Sequence, residues 1–268
     1  MTEAEYLKEY SIENFDRPSV TTDVVTFTIR NEAEDSYRRN PESRLCILLT
    51  KREWYPYKDC WGLPGGFLLP GETVEECALR EMKKKTGAIP VSMVPVGTYS
   101  EVGRDPRGWI ISNAFAGVIS CDMSDAPEIS NAKDTKWFLV SMEKEGELSR
   151  LVLTADGEKI EAVLREKDNR FGRSYFEIEE NGGLAFDHAG IIGTALTALR
   201  SSAAKFEMIF DFLPGKFTLN SLQKVQETIL NTTISAANFR RKAVNYVEET
   251  EERKEGAGHR PAQLYRRK

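Results

Sequence analysis

Two histidines and four cysteines are all that the 268 residues offer for borderline or soft metal ligation. The cysteines, Cys46, Cys60, Cys77 and Cys121, are scattered, and no two form a CxxC pair. Neither a zinc site nor a disulfide framework is therefore indicated, and a reducing compartment fits the pattern. His188 and His259 lack metal-ligand neighbours; His188, in AFDHAG, reads as a helix-entry residue satisfied locally. No run of 18 apolar residues occurs, so no membrane span is expected. The opening MTEAEYLKEYSIENF is acidic and polar, unlike a signal peptide. A cytoplasmic protein is the expectation. What remains is an ordinary globular composition, 40% apolar and 29% charged, long enough for one large or two ordinary domains. Repeats and low-complexity tracts are missing.

Charge is unevenly spread. From Ile191 to Lys268 there are 13 lysines and arginines against 8 acids, whereas the rest of the chain has 24 against 34. An acidic front and a basic tail suggest that the tail alone meets something anionic, although a solvated basic helix gives the same count.

Three sections follow from patterning. Up to about Met142 the chain reads as α/β. SVTTDVVTFTIR, RLCILLTKRE, ISNAFAGVIS and TKWFLVSM are strand-like. TVEECALREMKKKTG is helical, with Val74, Cys77, Ala78 and Met82 on one face and Gly87 as its stop. A strand-rich appendage covers about 143–187, with a hairpin signal at Asp156-Gly157. A long linking helix then begins near LAFDHAG. After it comes a helix with Leu219, Leu222, Val225, Ile229 and Leu230 as its buried stripe. The turn NTTI, the helix SAANFRRKAVNYV and a strand–charged tip–strand complete the tail.

Within the first helix lies the most specific signal. Gly66 is followed after five residues by Glu72, and seven more lead to Arg80, Glu81 and Met82, with Gly87 closing. This resembles the Nudix (MutT-like) family over roughly Ser19 to Met142, matching six of nine specified positions. The resemblance implies an α+β sandwich with a mixed sheet, and hydrolysis of a nucleoside diphosphate linked to another group. Magnesium would be held by helical glutamates. The Glu-Glu pair of the family is missing: Lys84 and Lys85 stand there. An ammonium has donors but no acceptor, so neither lysine can ligate a cation. Catalytic residues are therefore not expected, and no cofactor is required; magnesium enters only if hydrolysis survives, with Glu75 and Glu76 as the nearest rescuing acids. Lys84 instead is expected to supply the lost positive charge, while Glu81 and Lys85 are spaced for an i,i+4 pair.

Arg52, Arg104, Asp105 and Arg107, with Lys84, are the candidate ligand-binding residues, because guanidinium forks suit phosphate oxygens. EVGRDPRGWIISNAF and RPSVTTDVV resemble Nudix proteins that recognise ADP-ribose. Trp54, Tyr55, Tyr57 and Trp61 could stack on a base, or belong to the core.

On SAANFRRKAVNYV, Ser235 is placed to cap, and Ala236, Phe239, Ala243 and Tyr246 or Val247 form the inward stripe. Asn238, Arg241, Lys242 and Asn245 form a second, polar stripe, with Arg240 beside it; amides and guanidiniums read base edges. Arg253, Lys254, His259, Arg260 and Arg266, with Arg267 and Lys268, are available for phosphates. Helix, turn, helix and hairpin make a winged helix-turn-helix pattern.

Degenerate Nudix domain plus winged helix resembles the Nudix-related transcriptional regulators of bacteria. FDHAGIIGTALTAL, FTLNSLQKVQETIL, NFRRK and GHRPAQLYR carry that resemblance. It implies residues 1–187 as an effector-binding domain and 188–268 as a DNA-binding domain. It further implies a homodimeric repressor of NAD-cofactor metabolism, with operator DNA and ADP-ribose or a related nucleotide as partners. A sugar-responsive regulator of the same architecture, an ADP-ribose or nucleotide-sugar pyrophosphohydrolase with an oligomerisation tail, and a nucleotide-binding scaffold are the alternatives.

Overall fold

The computed structural model describes residues 1–31, 42–120, 134–168, 174–256 and 259–268. In chain order the strands are β1 (Ser19–Asn31), β2 (Ser43–Lys51), β3 (Trp61–Gly62), β4 (Gly65–Phe67), β5 (Ser92–Tyr99), β6 (Ile110–Val118), β7 (Thr135–Glu145), β8 (Leu148–Ala155), β9 (Glu158–Asp168), β10 (Ser174–Glu180), β11 (Val247–Gly256) and β12 (His259–Arg267). The helices are α1 (Glu3–Glu9), α2 (Val74–Thr86), α3 (His188–Ala204), α4 (Leu219–Leu230) and α5 (Ala236–Ala243). A ten-stranded sheet runs β10-β9-β8-β7-β2-β1-β6-β5, with β3 added to β2 and β4 to β1. The pair β1–β6 is parallel and the other pairings are antiparallel, which makes the sheet mixed. The hairpin expected at Asp156-Gly157 joins β8 to β9, with φ of 38° and 82° at the two turn residues.

Why β1 and β2 read as nearly continuous apolar runs is plain from their surroundings. Val24, Cys46 and Leu48 face α2, packing with Ala78 and Met82. Val25, Phe27, Ile29, Leu45, Ile47 and Leu49 face the opposite way, into the cluster that holds α3. Strands covered on both faces cannot alternate polar and apolar residues. The edge strand β5 escapes a patterning search because Pro95 interrupts it; the ladder shifts register between Pro95 and Gly97.

α2 opens with a capping box. Thr73 accepts from the Glu76 amide, and the Glu76 carboxylate accepts from that of Thr73. Glu76 is thus committed to the cap rather than to a metal. Gly87, at φ 72°, ends the helix in the left-handed region.

α3 is buried on nearly all sides, from His188 through Leu196 and again at Leu199 and Ala203. It lies against β10, β9, β5, β6 and β1 on one side and α4 on another. The apolar cluster runs without a break from the sheet through α3 to Leu222, Val225 and Ile229 of α4, and to Phe239 and Ala243 of α5. Leu219 and Leu230 are only partly buried, and Gln226 takes a buried place between them, bonded to the Ala203 carbonyl at 2.8 Å. Ala236 is exposed, so the inward stripe of α5 is Phe239 and Ala243, and the buried Val247 belongs to β11. Ser235 occupies the N-cap position but makes no side-chain cap bond.

Gly190 seats α3 on β10: a Cβ there would stand 2.9 Å from the Phe176 carbonyl oxygen. Gly190→Ala improves helix propensity by about 1 kcal/mol, but the clash is with backbone and should dominate, for a net loss of about 1–3 kcal/mol. Urea unfolding checks this; a variant as stable as the parent contradicts it.

Candidate functional site

β3, β4, the second half of α2 and the loops after β2 and β5 surround a cavity of about 820 Å³. Its wall includes Asp23, Arg52, Arg80, Glu81, Lys84, Lys85, Arg104, Asp105, Arg107, Phe186 and His188. A cleft of similar size, about 850 Å³, lies between the sheet and α4. Among the described residues its lining includes no aromatic side chain and none of the Gly66–Gly87 segment.

The floor is set by Glu81. It is buried, and Gly66 passes so close above it that a Cβ would come within 2.5 Å of its carboxyl carbon. Arg80 donates one arm of its guanidinium to Glu81. With Nε and Nη2 it grips Glu72 at 2.9 and 2.6 Å, and Nη2 also reaches the Phe67 carbonyl at 3.0 Å. That hydrogen bonding holds the Glu72 carboxyl at about 2. Glu72 further accepts from the Leu69 amide, which ties loop to helix.

Lys85, rather than Lys84, is the lysine that turns inward. Its ammonium donates to the Gly65 carbonyl and lies 3.8 Å from Glu81, the expected i,i+4 pair. Loss of water lowers the Lys85 pKa, against the pull of Glu81 and Asp23. Lys84 is exposed on the cavity wall. Magnesium, which the motif implies, does not fit these groups. Glu81 is already neutralised by Arg80 and Lys85, and an ammonium faces the loop carbonyl that a hard cation would seek. Among the described residues no three His, Cys, Asp or Glu side chains gather to hold a metal.

The opposite wall is built of guanidiniums and two phenylalanine rings. Arg107 is gripped by Asp105 at 2.9 and 2.6 Å and lies over Phe67 and Phe186, 5.0 and 5.5 Å from their centroids. Arg52 lies 4.7 Å from the Phe186 centroid and donates to the Pro56 carbonyl at 2.8 Å. Arg104 is buried and bidentate to Asp187, both bonds 2.7 Å. Trp54 and Tyr55 stand exposed at the mouth, Tyr57 packs on Phe186, and Trp61 is core, edge-on to Phe138.

Four residues here lie in the family-like segments RPSVTTDVV and FDHAGIIGTALTAL but had no ligand-binding role assigned from the sequence: Asp23, Phe186, Asp187 and His188. His188 is satisfied by distant partners, not local ones. Its Nδ1 accepts from the Leu63 amide at 2.9 Å, and its Nε2 lies 3.5 Å from Asp23. Burial alone would raise the Asp23 carboxyl, but His188, the Ser112 hydroxyl and Arg104 together draw it down to about 2.

The tail presents a different surface. Asn238, Arg240, Arg241 and Lys242 are exposed along α5, and Asn245 is exposed in the turn that follows. Arg241 donates to Asn238 at 3.3 Å. The turn before α5 is held by Glu227, which accepts from the Ile234 amide at 2.7 Å, and by Gln223, which donates to the Ile234 carbonyl at 2.8 Å. Arg253 and Lys254 are exposed on β11. Arg266 pairs with Glu248 across the hairpin, while Lys268 closes the end of α5 through the Val244 carbonyl at 2.8 Å. Arg267 turns to Phe210, 5.2 Å from its centroid. The side chains of His259 and Arg260 lie outside the described residues.

Fold and site together define a Nudix domain with an altered helix, joined to a winged helix. Residues 33–151 match the NUDIX domain family, and residues 209–267 match the NrtR DNA-binding winged helix domain family. Both segments resemble the NrtR-like Nudix proteins. The chain is 28% identical over 269 residues to the ADPR responsive transcriptional repressor NtrR of Acinetobacter baylyi, covering 99% of this chain and 88% of that one. Over 92 residues it is 54% identical to the ADP-ribose pyrophosphatase of Methanocaldococcus jannaschii, a match over 34% of this chain and about half, 53%, of that protein. Among solved structures, Shewanella oneidensis NrtR complexed with a 27mer DNA has a TM-score of 0.60 and 25% identity, covering 93% of each chain.

The lowered carboxyl of Asp23 has a sign that can be checked. Its folded pKa of about 2 lies below the unfolded value near 3.9, so its stabilisation is full above about pH 5 and lost as pH falls toward 2. Asp23→Asn should cost about 2 kcal/mol at pH 7, and the gap to the parent should shrink by about 1 kcal/mol at pH 3. Urea unfolding at both pH values measures it; a gap independent of pH contradicts the pairing.

Proposed function

We propose that this protein is a DNA-binding transcriptional repressor of NAD-cofactor metabolism whose Nudix cavity senses ADP-ribose or a related nucleotide without cleaving it. The observation that carries the reading is the state of the motif helix. Glu81 is spent on Arg80 and Lys85, so the cavity offers cations to a diphosphate where a hydrolase offers carboxylates to magnesium. Lys85 and Lys84, with Arg52 and Arg107, supply that charge, and Phe186 and the mouth aromatics offer faces to a base. A receptor keeps its signal, whereas a hydrolase destroys it.

The second half of the reading rests on α5. A short helix with exposed amides and guanidiniums, carried by a turn and followed by a hairpin with Arg253 and Lys254, suits a major groove and its flanking phosphates. A homodimer would set two such helices about one DNA turn apart. The likeness to the ADPR responsive repressor NtrR and to NrtR with DNA supports both halves together. An effector changes DNA affinity only by binding the two conformations unequally.

The match to an ADP-ribose pyrophosphatase favours a second reading, a slow hydrolase, which demands magnesium-dependent turnover. Fluorescence anisotropy on DNA from upstream of the protein's own gene separates the readings. The expected result is salt-sensitive binding weakened at least tenfold by ADP-ribose in EDTA, a coupling of about 1.4 kcal/mol. Affinity indifferent to ADP-ribose rejects this effector. Charge reversal at Arg241 and Lys242 should abolish binding while leaving thermal unfolding unchanged; a variant that binds DNA as the parent does removes α5 from the interface.

A further inference from the structure

The cavity and α5 are far apart in sequence, and α3 touches both ends of the problem. At its head, Asp187 occupies the N-cap position, yet its carboxylate makes no cap bond to the helix; it is turned onto Arg104 instead. His188, the first helical residue, is fixed to Leu63 and stands beside Asp23. Phe186, just before, holds φ 50°, a left-handed backbone that a bulky residue adopts only under constraint. At its tail, Arg200 donates to Met142 of β7 at 3.0 Å and to Ile229 of α4 at 3.4 Å, and Ala203 accepts from Gln226 of α4. One end of α3 is therefore pinned to the cavity wall and the other to the helix that precedes the DNA-reading turn.

Asp187 has two possible partners. A carboxylate at an N-cap ordinarily accepts from the first amides of its own helix and is favoured there by the helix dipole. Here a guanidinium has drawn it away. Arg104 lies in the wall of the effector cavity and also of a smaller cleft bounded by Tyr57, Phe186 and Asn181. Its fork fits a phosphate as well as it fits a carboxylate. Asp23, 3.8 Å from Arg104, stays ionised, so a phosphate cannot join the group while both carboxylates remain.

We propose that Asp187 is a two-position switch: it pairs with Arg104 in the empty cavity, and turns onto the Ala189 amide of α3 when a diphosphate takes Arg104, since the amides of His188, Gly190 and Ile191 already donate to the Ala185 and Asp187 carbonyls. This rests on the sensing role proposed above and adds how occupancy leaves the cavity. Asp187 is a competitor of the ligand. Losing it therefore tightens ligand binding, whereas losing a residue that merely positions Arg104 weakens it.

Calorimetry with ADP-ribose in EDTA, on the full chain without DNA, reads that sign. Asp187→Asn and Asp187→Ser should bind about tenfold tighter than the parent, the serine keeping a capping hydroxyl should the amide fold poorly. Unchanged or weaker binding in a folded variant overturns the switch. Hydrogen exchange supplies the second readout. ADP-ribose should slow exchange in the first turn of α3 in the parent and not in Asp187→Asn; an equal change in both overturns it. Should the parent fail to bind ADP-ribose at all, the sensing role falls and takes the switch with it; a parent that binds beside a variant that does not tighten sinks the switch alone.

Discussion

One buried carboxylate decides what this cavity can do. Glu81 sits under Gly66 with Arg80 on one side and Lys85 on the other. A charge in that position must be compensated, because burying it unpaired costs several kcal/mol. In a metal-dependent enzyme a cation from solution would share that task. Here the compensation is covalent to the chain, and it is permanent. The two lysines that stand where the family has glutamates bring positive charge to the cavity, so on the proposed reading the loss of one chemistry and the gain of an anion site are a single event. Glu72 and Arg80 keep their places as a brace between loop and helix, which explains why the motif survives as architecture.

From that floor the rest of the molecule follows in a connected line. The guanidinium wall is not a set of free forks: Arg104 and Arg107 each arrive already matched with an aspartate. Pre-paired cations cost less to bury than lone ones and are held in fixed orientation. They also make ligand entry a replacement reaction, in which an internal acid is exchanged for an external one. Because one of those acids begins α3, and α3 is packed against both the sheet and α4, an exchange in the cavity has a mechanical consequence outside it. Close packing around Gly190 leaves α3 little freedom to tilt independently of β10.

Much of this was legible in the sequence, and the parts that were not share a cause. The Gly66–Gly87 spacing, the α2 face, the Asp156-Gly157 hairpin and the helix–turn–helix–hairpin order are local patterns, written in a few consecutive residues. The roles of Asp23, Asp187 and His188 are not local. Asp23 is an acid in an apolar strand and becomes meaningful only when Arg104, Ser112 and His188 meet it from three other elements. His188 was read as self-sufficient, yet its partner lies 125 residues away. Lys84 and Lys85 could not be ranked by spacing alone, since adjacent helical positions point about 100° apart and only the path of the Gly65 loop decides which one is inward. Ser235 had the right residue type for a cap, but its backbone does not deliver the hydroxyl.

On the proposed reading the chain is a reaction centre converted into a receptor by charge substitution, with a helix shared between receptor and DNA-reading surface. The most direct test follows the phosphorus atoms of ADP-ribose by ³¹P NMR in the presence of stoichiometric protein and excess magnesium. The account predicts that the diphosphate resonances shift on binding and persist unchanged for hours. Their replacement by the monophosphate signals of AMP and ribose 5-phosphate at an ordinary enzymatic rate would contradict it.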